Sequence, residues 1–190
     1  MSERPKPRSI PKKKDAAQLW EYALKAIGRR AMSAAEIRQR LKEKANEAAD
    51  IEPVMAKLQE YGYLNDDRFA EEYASARRAN QGLGKMRVLM DLRGRRVASE
   101  AAGLAVEKIY ADSDELKLVE EYVARKFRNR NLPEYLADPA HLASAYRKLR
   151  YAGFGSSSCI RVLKKYSERA EEIEDDPVSE ETASGGGFSE

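Results

Sequence analysis

One histidine and one cysteine, His141 and Cys159, occur in this 190-residue chain. They set a narrow limit on side-chain chemistry. A Ser/His/Asp or Cys/His catalytic set must use His141, and no pattern in the sequence places partners beside it. His141 follows Asp138-Pro139-Ala140 at a predicted helix start, where a solvated surface histidine is expected. Cys159 stands next to Ile160 on an apolar helix and reads as a small core residue. A lone cysteine forms neither an internal disulfide nor a Cys-rich zinc site. Asp66 and Asp67 could be read as a metal-binding or acid/base pair. They also fall in a predicted first helical turn, where carboxylates complement the helix dipole. Adjacent residues do not share a helix face, so the structural reading is preferred. Gly82-Leu83-Gly84-Lys85 resembles a glycine loop at a helix start. It lacks the four-residue glycine spacing and the Gly-Lys-Ser/Thr ending of a phosphate-binding loop. It reads as a turn between helices, although a phosphate could approach the backbone N–H groups and Lys85 there. The chain is read as a non-enzyme that uses no metal and no cofactor.

Basic clusters carry more information than these acids. The candidate partner- or DNA-binding residues are Arg77 and Arg78, then Lys85, Arg87, Arg93, Arg95 and Arg96. Arg125, Lys126 and Arg128 follow, with Arg130 close by, and then Arg147, Lys148 and Arg150. Arg161, Lys164 and Lys165 form a last group. Each cluster alone could be a solvated face of a highly charged protein. Together they suit an acidic partner, either nucleic acid or an acidic protein surface. Aromatic residues interleave little with them, so base stacking is not indicated.

The elements that must position these residues are helical. Alanine occurs 28 times, whereas Ile, Val and Thr together occur 16 times. Strands draw on β-branched residues and helices on Ala, Leu, Glu, Lys and Arg. The predicted fold class is all-α. The longest apolar-plus-glycine stretch, Ala101–Val106, is too short to span a bilayer. The basic N-terminus has no apolar segment behind it and so does not read as a secretory signal. A cytoplasmic, monomeric protein without membrane contact is expected.

Charge and repeats give the expected organisation. Residues 1–14 carry six basic groups, one acid and three prolines, and read as a disordered basic arm. Residues 168–190 carry nine acids and one arginine, and read as a disordered acidic tail. Between them, Glu21-Tyr22, Glu72-Tyr73 and Glu121-Tyr122 recur with tyrosine spacings of 51 and 49 residues. Leu41, Leu92 and Leu149 are second anchors, and the third repeat holds an eight-residue insertion placed near Asn131–Ala140. Three tandem three-helix repeats are therefore expected over 15–65, 66–112 and 113–167, nine helices in an elongated array. Their net charges are 0, +1 and +5, which places the expected contact surface on the second and third repeats. Capping signals fit these helices. Ser33 with Glu36 makes a capping box, Asn65 and Asp138 are N-caps, and Ser99 and Ser156–Ser158 are further candidates.

Gly62-Tyr63-Leu64-Asn65-Asp66-Asp67-Arg68-Phe69-Ala70, followed by Arg77, Gly84, Arg87 and Leu92, resembles the signature region of RecX regulatory proteins. Leu149-Arg150-Tyr151-Ala152-Gly153-Phe154 extends the resemblance into the third repeat, so that it covers about residues 16–167. Two departures stand out. Lys85 replaces a usual proline, and Arg95-Arg96-Val97 stands where Lys-Gly and an apolar residue are usual. The resemblance implies a regulator that binds the groove of the RecA–DNA filament. It implies control of recombination, DNA repair and the SOS response to DNA damage, mostly by inhibition. Direct contact with single- or double-stranded DNA is a second expectation, and a stand-alone helical DNA-binding protein is the alternative reading. Charge reversal at Arg87 with Arg95 is expected to weaken partner binding without altering helicity. Removal of 168–190 is expected to leave the fold intact.

Overall fold

A computed structural model describes residues 13–173. Among these residues the chain is all-α, with ten α-helices and two short 3₁₀ helices. The expected disorder of 1–12 and 174–190 lies outside the described residues. Two compact units divide the chain. Unit 1 holds the described residues up to Ala74 together with Met90–Lys108. Unit 2 holds Ser75–Leu89 and the described residues from Ile109 onward.

Unit 1 is built on α1 (Ala16–Arg29), α2 (Ala34–Lys44) and α3 (Ile51–Glu60). Each start has a local chemical cause. The Asp15 carboxylate accepts the Gln18 N–H and opens α1. At α2 the capping box forms in both directions: Ser33 Oγ accepts the Glu36 N–H, and the Glu36 carboxylate accepts the Ser33 N–H. The inward faces of the three helices share one core, with Leu19, Ile37, Leu41, Met55 and Leu58 almost fully buried. Burying a leucine or isoleucine contributes about 1.5–3 kcal/mol, so these five dominate the stability of the small unit. Before α1, the Lys14 N–H donates to Lys44 O and Lys14 O accepts the Asn46 N–H, both at 2.8 Å. Lys14, counted with the basic arm in the sequence, is thus hydrogen-bonded to the end of α2 and the residues after it.

Three further helices run through both units: α4 (Asp66–Gln81), α5 (Lys85–Gly94) and α6 (Ser99–Tyr110). The link from α3 to α4 turns at Gly62, whose φ of +70° is the left-handed region that glycine enters without steric cost. Asn65 Oδ1 then accepts the Arg68 N–H at 2.8 Å, as its capping role requires, and Leu64 and Phe69 are both buried. Asp66 Oδ1 accepts the Ala34 N–H, so this acid ties α4 to the start of α2. The end of α5 is unusual. Arg96 donates its N–H to Arg93 O, Val97 donates to Leu92 O, and Arg96 itself sits at φ +60°. Among the described residues it is the one non-glycine with positive φ. Ser99 is the first residue of α6, not its cap; Ala98 O accepts the Ala102 N–H.

Unit 2 adds α7 (Glu115–Lys126), α8 (Leu132–Tyr135), α9 (Pro139–Tyr151) and α10 (Ser156–Leu163). The short α8 lies in the stretch that the repeat alignment marks as extra, which brings the count to ten instead of nine. Asp138 caps α9, and the N–H groups of His141 and Ala140 hold its carboxyl below the usual carboxylate range. The serines of α10 do not cap it. Gly155 occupies the cap position, and Glu115 of α7 accepts the Gly155 N–H and the Ser158 hydroxyl. The core gathers Val119, Val123, Leu149, Phe154, Cys159 and Leu163. A 3₁₀ turn at Glu168–Glu172 buries Ala170 completely, and Ile173 packs on the same core. Truncation that leaves the fold intact must therefore begin after Ile173, not at 168.

Tyr110, the last residue of α6, is buried in unit 2. Its buried hydroxyl donates to Leu83 O at 2.5 Å, and the Arg78 guanidinium lies 5.5 Å from its ring centre. Burial pushes its pKa up to about 12, with Arg78 opposing. A group with a raised folded-state pKa stabilises the fold below its unfolded value, near 10, and that stability is lost as pH rises through about 12. The expected result is a urea midpoint that falls between pH 9 and 11 more steeply in the native chain than in Tyr110→Phe. Parallel pH profiles would show that Tyr110 does not carry the effect.

Candidate functional site

The cations singled out in the sequence divide into struts and open groups. In unit 1, Arg95 is a strut. Its guanidinium donates to Glu36 Oε2 at 3.2 Å and to Ala31 O at 3.4 Å. It also lies 5.1 Å from the Tyr73 ring centre and 5.6 Å from that of Phe69. The Arg95 carbonyl accepts the hydroxyl of fully buried Ser33 at 2.7 Å. Backbone and side chain of one residue thus lock the α5 end onto the α2 capping box. Arg93 is exposed, and Arg96 reaches Gln39 Oε1 at 3.4 Å from an exposed position.

In unit 2, Arg78 donates to Ile109 O, and Arg125 donates to Gln81 O and Asn80 O. Arg150 donates to Phe154 O at 2.9 Å, while its Nε is buried without a hydrogen-bond partner. These three bind chain carbonyls at or just beyond helix ends. Arg77, Lys85 and Arg87 are half-buried, and each is engaged with neighbouring groups. Lys126, Arg128, Arg147 and Lys148 are exposed. Lys148 Nζ lies 5.7 Å from the ring centre of Phe127, the residue between Lys126 and Arg128. Lys148 of α9 therefore stands close to the chain that carries Lys126 and Arg128 at the end of α7.

The glycine turn before α5 has a different use from phosphate binding. The Gly84 N–H donates to Ala152 O at 2.7 Å, and Gly84 is buried. A Cβ on Gly84 would lie 2.4 Å from Gly153 O. The Gly84 N–H, one of the groups that could have met a phosphate, is thus taken by the chain at the end of α9. His141 stacks on Tyr135 with ring centres 4.2 Å apart, and its Nδ1 lies 3.2 Å from Tyr135 O. Among the described residues, no group of three or more His, Cys, Asp or Glu could hold a metal ion. Nor is any helix among them long and apolar enough to cross a membrane.

Two features of unit 1 escaped the sequence reading. Trp20, Tyr61 and Tyr63 pack together with ring centres 5.8–6.5 Å apart, and Lys57 lies 4.6 Å from the Trp20 ring centre. Tyr61 and Tyr63 remain largely exposed. Only Gly62, the turn residue between the two tyrosines, hints at this in the sequence. The second feature is a polar cleft of about 460 Å³ lined by Tyr22, Arg30, Glu36, Gln39, Arg40, Glu43, Lys44, Gly94 and Arg96. Arg40 and Lys44 stand four residues apart on α2 and so share a face. That spacing is legible, but the zero net charge of residues 15–65 masked it.

Comparison with known proteins follows the same lines. Residues 20–58 match the first three-helix domain of RecX, and residues 65–105 match the second. The regulatory protein RecX of Deinococcus radiodurans is 31% identical over 165 residues, covering 86% of this chain and 76% of the relative. That of Mannheimia succiniciproducens is 32% identical over 138 residues, covering 71% of this chain and 85% of the relative. The crystal structure of RecX from Lactobacillus salivarius shares the fold at a TM-score of 0.60 and 16% identity, over 80% of this chain and 96% of that one. With an all-α fold, the signature segment in place and relatives matched over most of their length, the chain belongs to the RecX family of regulatory proteins.

Proposed function

We propose that this protein binds the RecA–DNA filament as a monomer and limits its growth, strand exchange, ATP hydrolysis and co-protease action. Membership of the RecX family carries this reading. On this reading it acts in the cytoplasm as a regulator of recombination and of the SOS response, without a cofactor. Binding, not chemistry, is the mode of action that the side chains support. The exposed cations Lys126, Arg128, Arg147 and Lys148 supply a surface for acidic groups of a filament. Several modest contacts along neighbouring protomers would add through effective concentration. Arg78, Arg125 and Arg150 are better read as holding unit 2 in shape than as contacting the partner, and Arg95 as doing the same within unit 1.

The same exposed cations favour a second reading, a stand-alone DNA-binding protein. Co-sedimentation at physiological salt separates the two. Retention on RecA–DNA filaments with little retention on bare DNA is the expected result. Equal retention on bare DNA, with a steep salt dependence, would favour the second reading.

A further inference from the structure

We propose that the polar cleft around Arg96 in unit 1 is a subsite for the phosphate backbone of a nucleic acid. It stands beside the filament reading and does not require it, because such a subsite acts on bare DNA as well.

The backbone of Arg96 is the first observation. The turn after α5 needs a left-handed residue there, since the Arg96 N–H bonds Arg93 O at 2.8 Å and the Val97 N–H bonds Leu92 O at 3.2 Å. Arg96 meets the requirement at φ +60°. A residue with a Cβ costs about 1–2 kcal/mol in this conformation, a cost that glycine avoids. Strained backbone of this kind clusters at functional sites. Within the protein, that side chain makes one long, exposed hydrogen bond to Gln39. An exposed contact at that distance contributes little and does not offset the strain.

The surroundings of that side chain are the second observation. Arg96 lines a cleft of about 460 Å³ with Arg30, Arg40, Lys44, Gln39 and Tyr22. Two acids share the lining, and one is already committed: Glu36 accepts from Arg30 at 3.2 Å and from Arg95 at 3.2 Å. Arg40, Lys44 and Arg96 then face Glu43 alone, an excess of two positive charges. The cleft is open and its walls are polar, which does not suit an apolar ligand. Arginine and lysine beside the neutral donors of Gln and Tyr are the groups that phosphate oxygens take in protein–DNA contacts. Phosphates recur at every nucleotide of a strand, so cations contributed by separate elements can each find one.

The test is a fluorescence anisotropy titration of a labelled oligothymidylate with the full chain, without RecA, across a salt series. Native protein, Arg96→Gly and Arg40→Gln are compared, and the urea midpoint of each is measured. Both variants are expected to lose about three- to tenfold in affinity, with a salt slope shallower by about one. Arg96→Gly should at the same time unfold at higher urea, because its backbone strain is gone. Weaker binding by a more stable protein cannot come from a damaged fold. Unchanged affinity in both variants would overturn the assignment, as would failure of the native chain to bind the oligonucleotide at low salt. The same variants are carried through co-sedimentation with RecA–DNA filaments, where loss of retention without loss on bare DNA would assign the cleft to an acidic protein surface and overturn the phosphate reading. None of these outcomes bears on RecA ATPase, through which the filament reading stands or falls separately.

Discussion

Gly153→Ala is expected to destabilise unit 2 by about 2–5 kcal/mol, enough to unfold it under mild conditions. Gly153 sits at φ +90°, which an alanine tolerates poorly. The space is also taken. A Cβ there would lie 2.2 Å from Arg87 N and 2.6 Å from Arg87 Cβ, so the obstacle includes the main chain of α5 and cannot swing aside. On the other side of the same contact, a Cβ on Gly84 would meet Gly153 O at 2.4 Å and Phe154 Cδ1 at 2.8 Å. Gly84→Ala should therefore destabilise in the same direction, by overpacking without the left-handed strain. Urea unfolding followed by circular dichroism reads both. Substitutions that shift the midpoint no more than a surface mutation does would show that the α9–α10 turn does not press on α5 as closely as these distances require.

Arg95→Glu is expected to cost about 2–4 kcal/mol and to lower the helical content of unit 1. The native guanidinium is three-quarters covered, and Glu36 is covered further still. Reversal places two carboxylates against each other and removes donors from Glu36 Oε2 and Ala31 O. The capping box depends on the same Glu36, whose carboxylate also accepts the Ser33 N–H. This corrects the sequence expectation that reversal at Arg87 with Arg95 leaves helicity unchanged. The measurement is a thermal melt of Arg95→Glu beside Arg93→Glu, whose native side chain is exposed. A marked drop for the first and little change for the second is the expected pair of results. Equal melting would mean that Arg95 is no more of a strut than its exposed neighbour.

Local chemistry was legible before the structure. The Ser33–Glu36 box and the Asn65 and Asp138 caps each depend on residues a few positions apart, and such spacings are written directly in the chain. Cys159 as a core residue was legible for the same reason, from the apolar face around it. What failed were inferences about partners across long separations. Arg95 finds Glu36 across 59 residues, and Arg125 reaches the carbonyl of Gln81 across 44. A list of cations by position cannot tell such struts from open charges. Gly84 read as a loop because only the contact with Gly153 reveals why a Cβ is excluded there. The Arg96 cleft was hidden by summation, since a neutral total over residues 15–65 conceals where α2 places Arg40 and Lys44. Ser99 and Ser156–Ser158 mark a smaller limit: a serine near a helix start can be the first helical residue instead of its cap.

The filament reading is tested most directly by RecA ATPase on single-stranded DNA, titrated with this protein. Inhibition at or below one copy per RecA protomer is the expected result. It should weaken in a variant carrying Lys126→Glu and Arg128→Glu, whose native side chains are exposed and whose fold should be undisturbed. An ATPase rate unchanged by equimolar native protein would contradict it.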